Sequence, residues 1–141
     1  MNSLTIIGSQ IADLSPVASL SELTEIQCNQ VPLNDISPLS QLSKLEKINL
    51  ENTRITDIKA LVNLTSTRVL NISGTQVKSL NDIENLTKLE ELIISNTQVK
   101  SLKGVESLPD LKSLKCFNTK ISEKNVEKFK SSKPNCEVVY Y

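Results

Sequence analysis

The chain has 141 residues, and its 16 Lys and Arg residues are balanced by 16 Asp and Glu residues, so its formal net charge is zero. This balance argues against a nucleic-acid-binding protein, because such proteins usually carry a basic stripe. Histidine is absent, which excludes imidazole as a general acid–base catalyst and as a metal ligand. No apolar run approaches the ~18–20 residues that a membrane-spanning helix needs, and the length suits a single domain over 1–141.

The chain is built from one small repeated unit. The segment 70–80 recurs 22 residues later at 92–102 and 22 residues earlier at 48–58. Repetition at this period is typical of a stacked solenoid, in which each unit buries its apolar side against its neighbours. The units begin at Leu4, Ile26, Ile48, Leu70, Leu92 and Leu114.

Each unit starts with two apolar residues separated by one outward residue, which is the alternation of a short strand. The inward pairs run from Leu4 and Ile6 to Cys136 and Val138 at an unbroken period of 22 residues. We therefore predict seven parallel strands in one sheet, with no insertion between units.

A tight turn and a compact return side are predicted after each strand. Four units have a Thr in the turn, where its hydroxyl can bond the backbone. Apolar residues then recur at every third position, which suits 3₁₀ or short helical turns, and Ser15-Pro16 and Ser37-Pro38 suggest an N-cap followed by proline. Just before the Thr position, five of six residues are Gly or Asn, which best tolerate positive φ: Gly8, Gln30, Asn52, Gly74, Asn96 and Asn118.

The last unit leaves this pattern and is predicted to cap the stack. The segment 122–130 indicates a true α-helix with Ser122 as its N-cap, and a final strand follows, so we assign the C-terminal cap to 122–141. No comparable N-terminal cap precedes Leu4. We therefore expect that the chain is a fragment of a longer repeat protein, that its open end self-associates or pairs with another chain, or that its first unit is distorted.

The unit reads L-x-x-L-x-L-x-x-T-x-I-x-D-I-x-P-L-x-x-L, most clearly over 23–42 and 45–64. This pattern resembles the leucine-rich repeat in its 22-residue, internalin-like bacterial form, over essentially the whole chain. The resemblance implies a curved α/β solenoid with a concave parallel sheet and a convex side of short helical turns. It also implies that the protein binds other proteins.

One position in the predicted leucine row of the core is not occupied by leucine. Thr67 lies where neighbouring units have Leu45 and Leu89. We interpret it as a tolerated imperfection, and a soft point or small pocket is the alternative. Replacing it with Leu is predicted to stabilise the fold, because the position is shaped for leucine.

Catalytic motifs are not found, so we predict that the chain is not an enzyme and binds no cofactor or metal. Cys28, Cys116 and Cys136 are too far apart in sequence for a CxxC site, and we interpret them as buried thiols. Cys116 and Cys136 are predicted to lie about 8 Å apart on neighbouring strands, which is beyond the ~7 Å limit for a disulfide.

The outward strand residues are the candidates for binding, and they fall into three columns. The first column is Ser3, Glu25, Lys47, Val69, Glu91, Ser113 and Asn135. The middle column is Thr5, Gln27, Asn49, Asn71, Ile93, Lys115 and Glu137. The third column is Ile7, Asn29, Glu51, Ser73, Ser95, Phe117 and Val139.

An apolar diagonal formed by Val69, Ile93 and Phe117 crosses these mostly polar columns. An exposed aromatic with aliphatic neighbours is typical of a binding hot spot. The alternative is that Val and Ile simply favour strands and that single exposed apolar residues are normal. The predicted protein-binding residues are Val69, Asn71, Ser73, Glu91, Ile93, Ser95, Lys115 and Phe117.

The sequence therefore predicts a non-enzymatic protein-interaction module that binds another protein through its concave sheet face. The first alternative is a carbohydrate or small-ligand binder, which a shallow face with one aromatic disfavours. The second is a structural spacer within a longer repeat array. The location stays open between secreted or cell-surface, if a signal peptide has been removed, and cytoplasmic.

Overall fold

The computed structural model describes residues 2–141. Among them, seven strands pair in chain order as one parallel sheet. These strands are β1 (Ser3–Ile7), β2 (Glu25–Asn29), β3 (Lys47–Asn49), β4 (Val69–Asn71), β5 (Glu91–Ile93), β6 (Ser113–Lys115) and β7 (Glu137–Val139). One α-helix, α1 (Glu123–Ser132), precedes β7, and 3₁₀ turns occupy Ser15–Ser19, Ser37–Leu39, Ile83–Asn85 and Val105–Ser107. The predicted α/β repeat architecture is confirmed.

Strands β1 to β6 have the register that the 22-residue period predicts. Leu4 aligns with Ile26, and the row continues without a slip to Leu114. The last strand departs from it, since Leu114 aligns with Val138, which lies 138 − 114 = 24 residues further on. The predicted alignment with Cys136 is wrong because an α-helix rises ~1.5 Å per residue and a 3₁₀ helix ~2.0 Å. A return side made of α-helix needs more residues to cover the same distance.

The turn after each strand is built as predicted. All six turn positions, including Gln30, have positive φ, from 52° at Asn118 to 68° at Gly74. The hydroxyls of the turn threonines donate to the carbonyl oxygen three residues earlier, at distances from 2.6 Å in Thr97 to 3.0 Å in Thr119. The threonine therefore fixes the turn from inside the stack.

The first two 3₁₀ turns of the return side are capped by a different side chain from the one predicted. Asp13 Oδ1 accepts hydrogen bonds from the backbone N–H and hydroxyl of Ser15, at 2.8 and 2.6 Å. Asp35 does the same for the Ser37 N–H at 2.9 Å. Aspartate, not Ser15 or Ser37, is thus the capping acceptor, and these bonds lower the pKa of both carboxyl groups.

The core is one continuous apolar cluster that runs the length of the stack. Val126 and Phe129 of α1 are buried against its C-terminal end, as predicted for a capping helix. Ile11 is an exception, because 46 % of it is exposed although the repeat pattern predicts it to point inward. It belongs to the first unit, which among residues 2–141 has a neighbouring unit on one side.

Thr67 is fully buried in the leucine row, as the sequence predicts. Its hydroxyl donates to the Leu64 carbonyl oxygen at 2.7 Å, and that oxygen also accepts the Thr67 backbone N–H at 3.0 Å. The hydroxyl also lies 3.4 Å from the Leu45 carbonyl oxygen. Leucine at this position would lose both hydroxyl contacts and keep the backbone bond to Leu64.

We expect Thr67→Leu to stabilise the protein by about 1 kcal/mol, because it adds apolar volume to a row whose other members are leucines. Thermal and urea unfolding followed by circular dichroism would measure the change. Thr67→Val is the matched control, since it removes the hydroxyl at nearly constant volume and should change stability little. A lower melting temperature for Thr67→Leu would show that the neighbouring side chains have closed around threonine.

Candidate functional site

The outward residues of β1 to β6 form the predicted columns on one face of the sheet. The apolar diagonal is present, with Val69 on β4, Ile93 on β5 and Phe117 two residues past the end of β6. Val69 and Ile93 are half-buried, and 37 % of Phe117 is exposed. The diagonal therefore forms a single surface on three consecutive units.

Two of the predicted binding residues, Ser73 and Ser95, are buried, with 7 % and 1 % of their surfaces exposed. The expectation that they present a surface is corrected. Third-column residues follow the end of the strand, where the chain starts to turn, and a short side chain there stays below its neighbours. Phe117 occupies the same column and reaches solvent because its side chain is long.

The other predicted residues remain partly accessible, and two of them interact with each other. Asn71, Glu91 and Lys115 are half-buried on the sheet face. Lys115 Nζ lies 4.0 Å from Glu91 Oε2, so this pair of charges largely compensates itself beside Ile93.

The shifted register of β7 changes the C-terminal end of the columns. Glu137 lies beside Ser113, where Asn135 was predicted, and Val139 lies beside Lys115, where Glu137 was predicted. Tyr141 follows the end of β7 and is 90 % exposed. Its ring centroid lies 5.2 Å from that of Tyr140, whose side chain packs against the core, so Tyr141 does not continue the outward column beside Phe117.

We name Val69, Ile93, Phe117 and Val139 the apolar patch. Its last member could have been found from the sequence, because the α-helical pattern at 122–130 already indicated that the final return side differs from the 3₁₀ turns. The inward neighbour of Tyr141 is anchored, since the Tyr140 hydroxyl donates to the Ile121 carbonyl oxygen at 3.2 Å. The two tyrosine rings are 5.2 Å apart between centroids.

The middle column also has a local structural role that sequence reasoning missed. Asn49 Oδ1 accepts the backbone N–H of Glu51 at 3.0 Å. Asn71 Oδ1 accepts the N–H of Ser73 at 3.0 Å and its hydroxyl at 2.8 Å. The signal was an Asn two residues before a turn, the spacing at which its side chain bonds the backbone.

Charges along one edge of the sheet tie successive units together. Arg68 Nη1 lies 2.8 Å from Glu90 Oε1, and Lys112 Nζ lies 3.3 Å from Glu90 Oε2. Hydrogen bonds from Arg68 and then Lys112 hold the pKa of Glu90 below its usual value. These pairs are exposed, so they favour the register of the stack more than they add stability.

Sites of other kinds are not formed by the described residues. Over residues 2–141, no group of side chains could hold a metal ion and no helix is both long and apolar enough to cross a membrane. A groove of about 350 Å³ between the last 3₁₀ turn and α1 is lined by Lys103, Glu106 and Lys128 among others. It lies away from the sheet face and brings no catalytic groups together.

The thiols are structural. Cys28 and Cys116 are buried and Cys136 is half-buried, and all three are free. Burial raises the pKa of Cys28 and of Cys116 to about 11. The register shift aligns Leu114 with Val138 and not with Cys136. Cys136 therefore lies before β7, and it is offset further along the strands from Cys116 than the 22-residue period predicted.

Comparisons with known proteins agree with this geometry. The family model described as Leucine Rich repeats (2 copies) matches residues 87–131. The chain is similar to an internalin (inlF) of Listeria monocytogenes, with 28% identity and a TM-score of 0.92, over 99% of this chain and 41% of that one. Internalin C2 of the same organism matches with 25% identity and a TM-score of 0.81, over 100% of this chain and 71% of that one.

A leucine-rich repeat protein of Leptospira interrogans has the same fold, with 24% identity and a TM-score of 0.91, over 99% of this chain and 37% of that one. The chain thus spans about two fifths of the length of this protein and of the inlF internalin. No curated protein matches the sequence significantly.

The fold is the leucine-rich repeat solenoid, as the sequence predicted, and the chain is similar to internalins and other leucine-rich repeat proteins. This fold is commonly a protein–protein interaction module, and internalin-like proteins are generally non-enzymatic binding modules.

The thiols provide a test of the predicted burial. At pH 8 a thiol with a pKa of about 11 is ionised in roughly one molecule in a thousand, and the thiolate is the reactive species. We expect a disulfide reagent such as DTNB to modify Cys136 first in the native protein. A Cys136→Ser variant should lose this fast phase, and in urea all thiols should react alike. Fast modification of native Cys28 or Cys116 would contradict the assignment.

Proposed function

We propose that the chain is a non-enzymatic protein-interaction module that binds a partner protein through the sheet face. The proposed contact residues are the accessible members of the predicted set, extended by Val139. Ser73 and Ser95 support these residues from below. The family supports this proposal, because repeat solenoids commonly use their extended sheet surface for binding.

The observation that carries the proposal is Phe117 on the sheet face. Phe117 is 37 % exposed and lies on the diagonal with Ile93. Aromatic residues are enriched at the centres of protein interfaces. A run of apolar residues on four successive strands also exceeds the single exposed side chains that are normal on a protein surface.

The proposal is tested with Phe117→Ala and Ile93→Ser. A partner would first be isolated on the immobilised chain and its Kd then measured for each variant. We expect each substitution to weaken binding by roughly tenfold or more, which corresponds to about 1.4 kcal/mol. Ile11→Ser is the matched control, because it also removes an exposed apolar side chain (46 %) but lies off the sheet face.

Circular dichroism must show that both test variants keep the melting temperature of the parent within a few degrees. If the partner then binds all variants equally, the sheet face is not the binding surface. That outcome would favour the structural-spacer alternative, in which the repeats hold neighbouring segments apart without a ligand of their own.

A further inference from the structure

The side-chain cap of the strand-end turn is present in two consecutive units and missing from the next. Asn49 and Asn71 cap the turns after β3 and β4 through bonds of 3.0 Å to the N–H two residues later. The equivalent residue of β5 is Ile93, which has no acceptor atom. Within residues 2–141, Ser95 Oγ is buried with no hydrogen-bond partner, whereas Ser73 Oγ bonds Asn71 at 2.8 Å.

This contrast shows what Ile93 does to its own unit. The serines at 73 and 95 occupy the same position of the repeat, and both are buried. A buried hydroxyl without a partner is destabilising, and one substitution, Ile93→Asn, would supply the missing acceptor. Ile93 itself is only half-buried, so its side chain gains limited apolar burial within the fold.

We infer that Ile93 is a specificity-determining contact for the partner and that it is present at the expense of the local stability of its unit. This inference rests on the proposed function, because a solvent-facing Ile that weakens the turn is explained by a contact made outside the chain. Ile93 is also the middle member of the diagonal, between Val69 and Phe117. Val69, Ile93 and Phe117 together therefore form an apolar contact surface for one side chain of the partner, and we call this surface the apolar seat.

The charges around this seat define the partner further. Glu51 is half-buried in the third column, and Glu137 is exposed in the first column of β7. Lys47 is exposed beside Val69. Like the two carboxylates, it takes part in no ion pair among residues 2–141, whereas Lys115 is engaged with Glu91.

The complementary partner is a protein segment that places an apolar residue on Ile93 and Phe117, with an acidic residue over Lys47 on the β3 side and Lys or Arg over Glu137 on the β7 side.

The experiment has one readout that needs no partner. Ile93→Asn is expected to raise the melting temperature by about 3 °C, because the introduced asparagine would bond the Ser95 backbone and hydroxyl as Asn71 bonds Ser73. Asn71→Ile is the reciprocal control and should lower it by a similar amount, since it removes those bonds from Ser73. Strand propensity favours Ile over Asn and acts oppositely in the two variants. If Ile93→Asn does not raise the melting temperature, the inference is wrong.

The second readout uses peptides selected from a random phage-displayed library on the full chain. We expect the enriched peptides to combine an apolar residue with an acidic residue on one side and Lys or Arg on the other, and Ile93→Asn to weaken the selected peptide at least tenfold while Ile11→Ser does not. Enriched peptides without this pair of opposite charges would overturn the assigned partner chemistry.

Different results would refute the role of Ile93 and the proposed function of the sheet face. If Ile93→Asn is stabilised and binds the peptide as well as the parent while Phe117→Ala does not, the role of Ile93 is refuted and the sheet face stands. If neither substitution changes peptide affinity, or if no peptide is enriched, the proposed function fails as well.

Discussion

Every unit of this protein must reverse the chain directly after a strand of three to five residues, and the rest of the structure depends on how it does so. One residue takes positive φ, from 52° to 68°, and in four units a Thr hydroxyl ties the turn to the last inward strand residue, as Thr53 does to the Leu50 carbonyl oxygen at 2.8 Å. Because the turn has a positive-φ residue at the same position in six units, the period is constant, and a constant period keeps the parallel strands in register. The leucine rows are buried as a consequence of that register.

This constraint divides the strand residues into two groups. Inward residues and the turn are dictated by the stack, whereas outward residues are free to vary unless they help the turn. Asn49 and Asn71 are outward residues that do help it, and Ile93 is one that does not. In the middle column, Asn49 and Asn71 therefore stabilise their turns, whereas the side chain of Ile93 does not and is available for a contact outside the fold. This is the reason that position 93 is informative although the unit around it is the most regular in the chain.

The fold could be predicted almost completely from the sequence because the repeat gives each structural position several independent examples. Even Gln30, which is neither Gly nor Asn, could be assigned positive φ from its place in the period. The errors arose where one residue had no equivalent to compare with or where geometry after the strand mattered. The register of Val138 depended on the rise of α1, and the burial of Ser73 and Ser95 depended on side-chain length at the start of the turn. The binding residues are the least predictable, since the repeat does not constrain them.

The capping helix connects the stability of the stack with its candidate binding surface. Val126 and Phe129 close the core, and the α-helical return places β7 two residues further along the chain than the period predicts. Because successive strand residues point to opposite faces, a shift of one would have turned every inward residue outward. A shift of two preserves the faces, so Val138 and Tyr140 still pack against the core. It nevertheless moves Val139 into the row that would have held Glu137, so the end of the sheet gains an apolar outward residue without disturbing the interior.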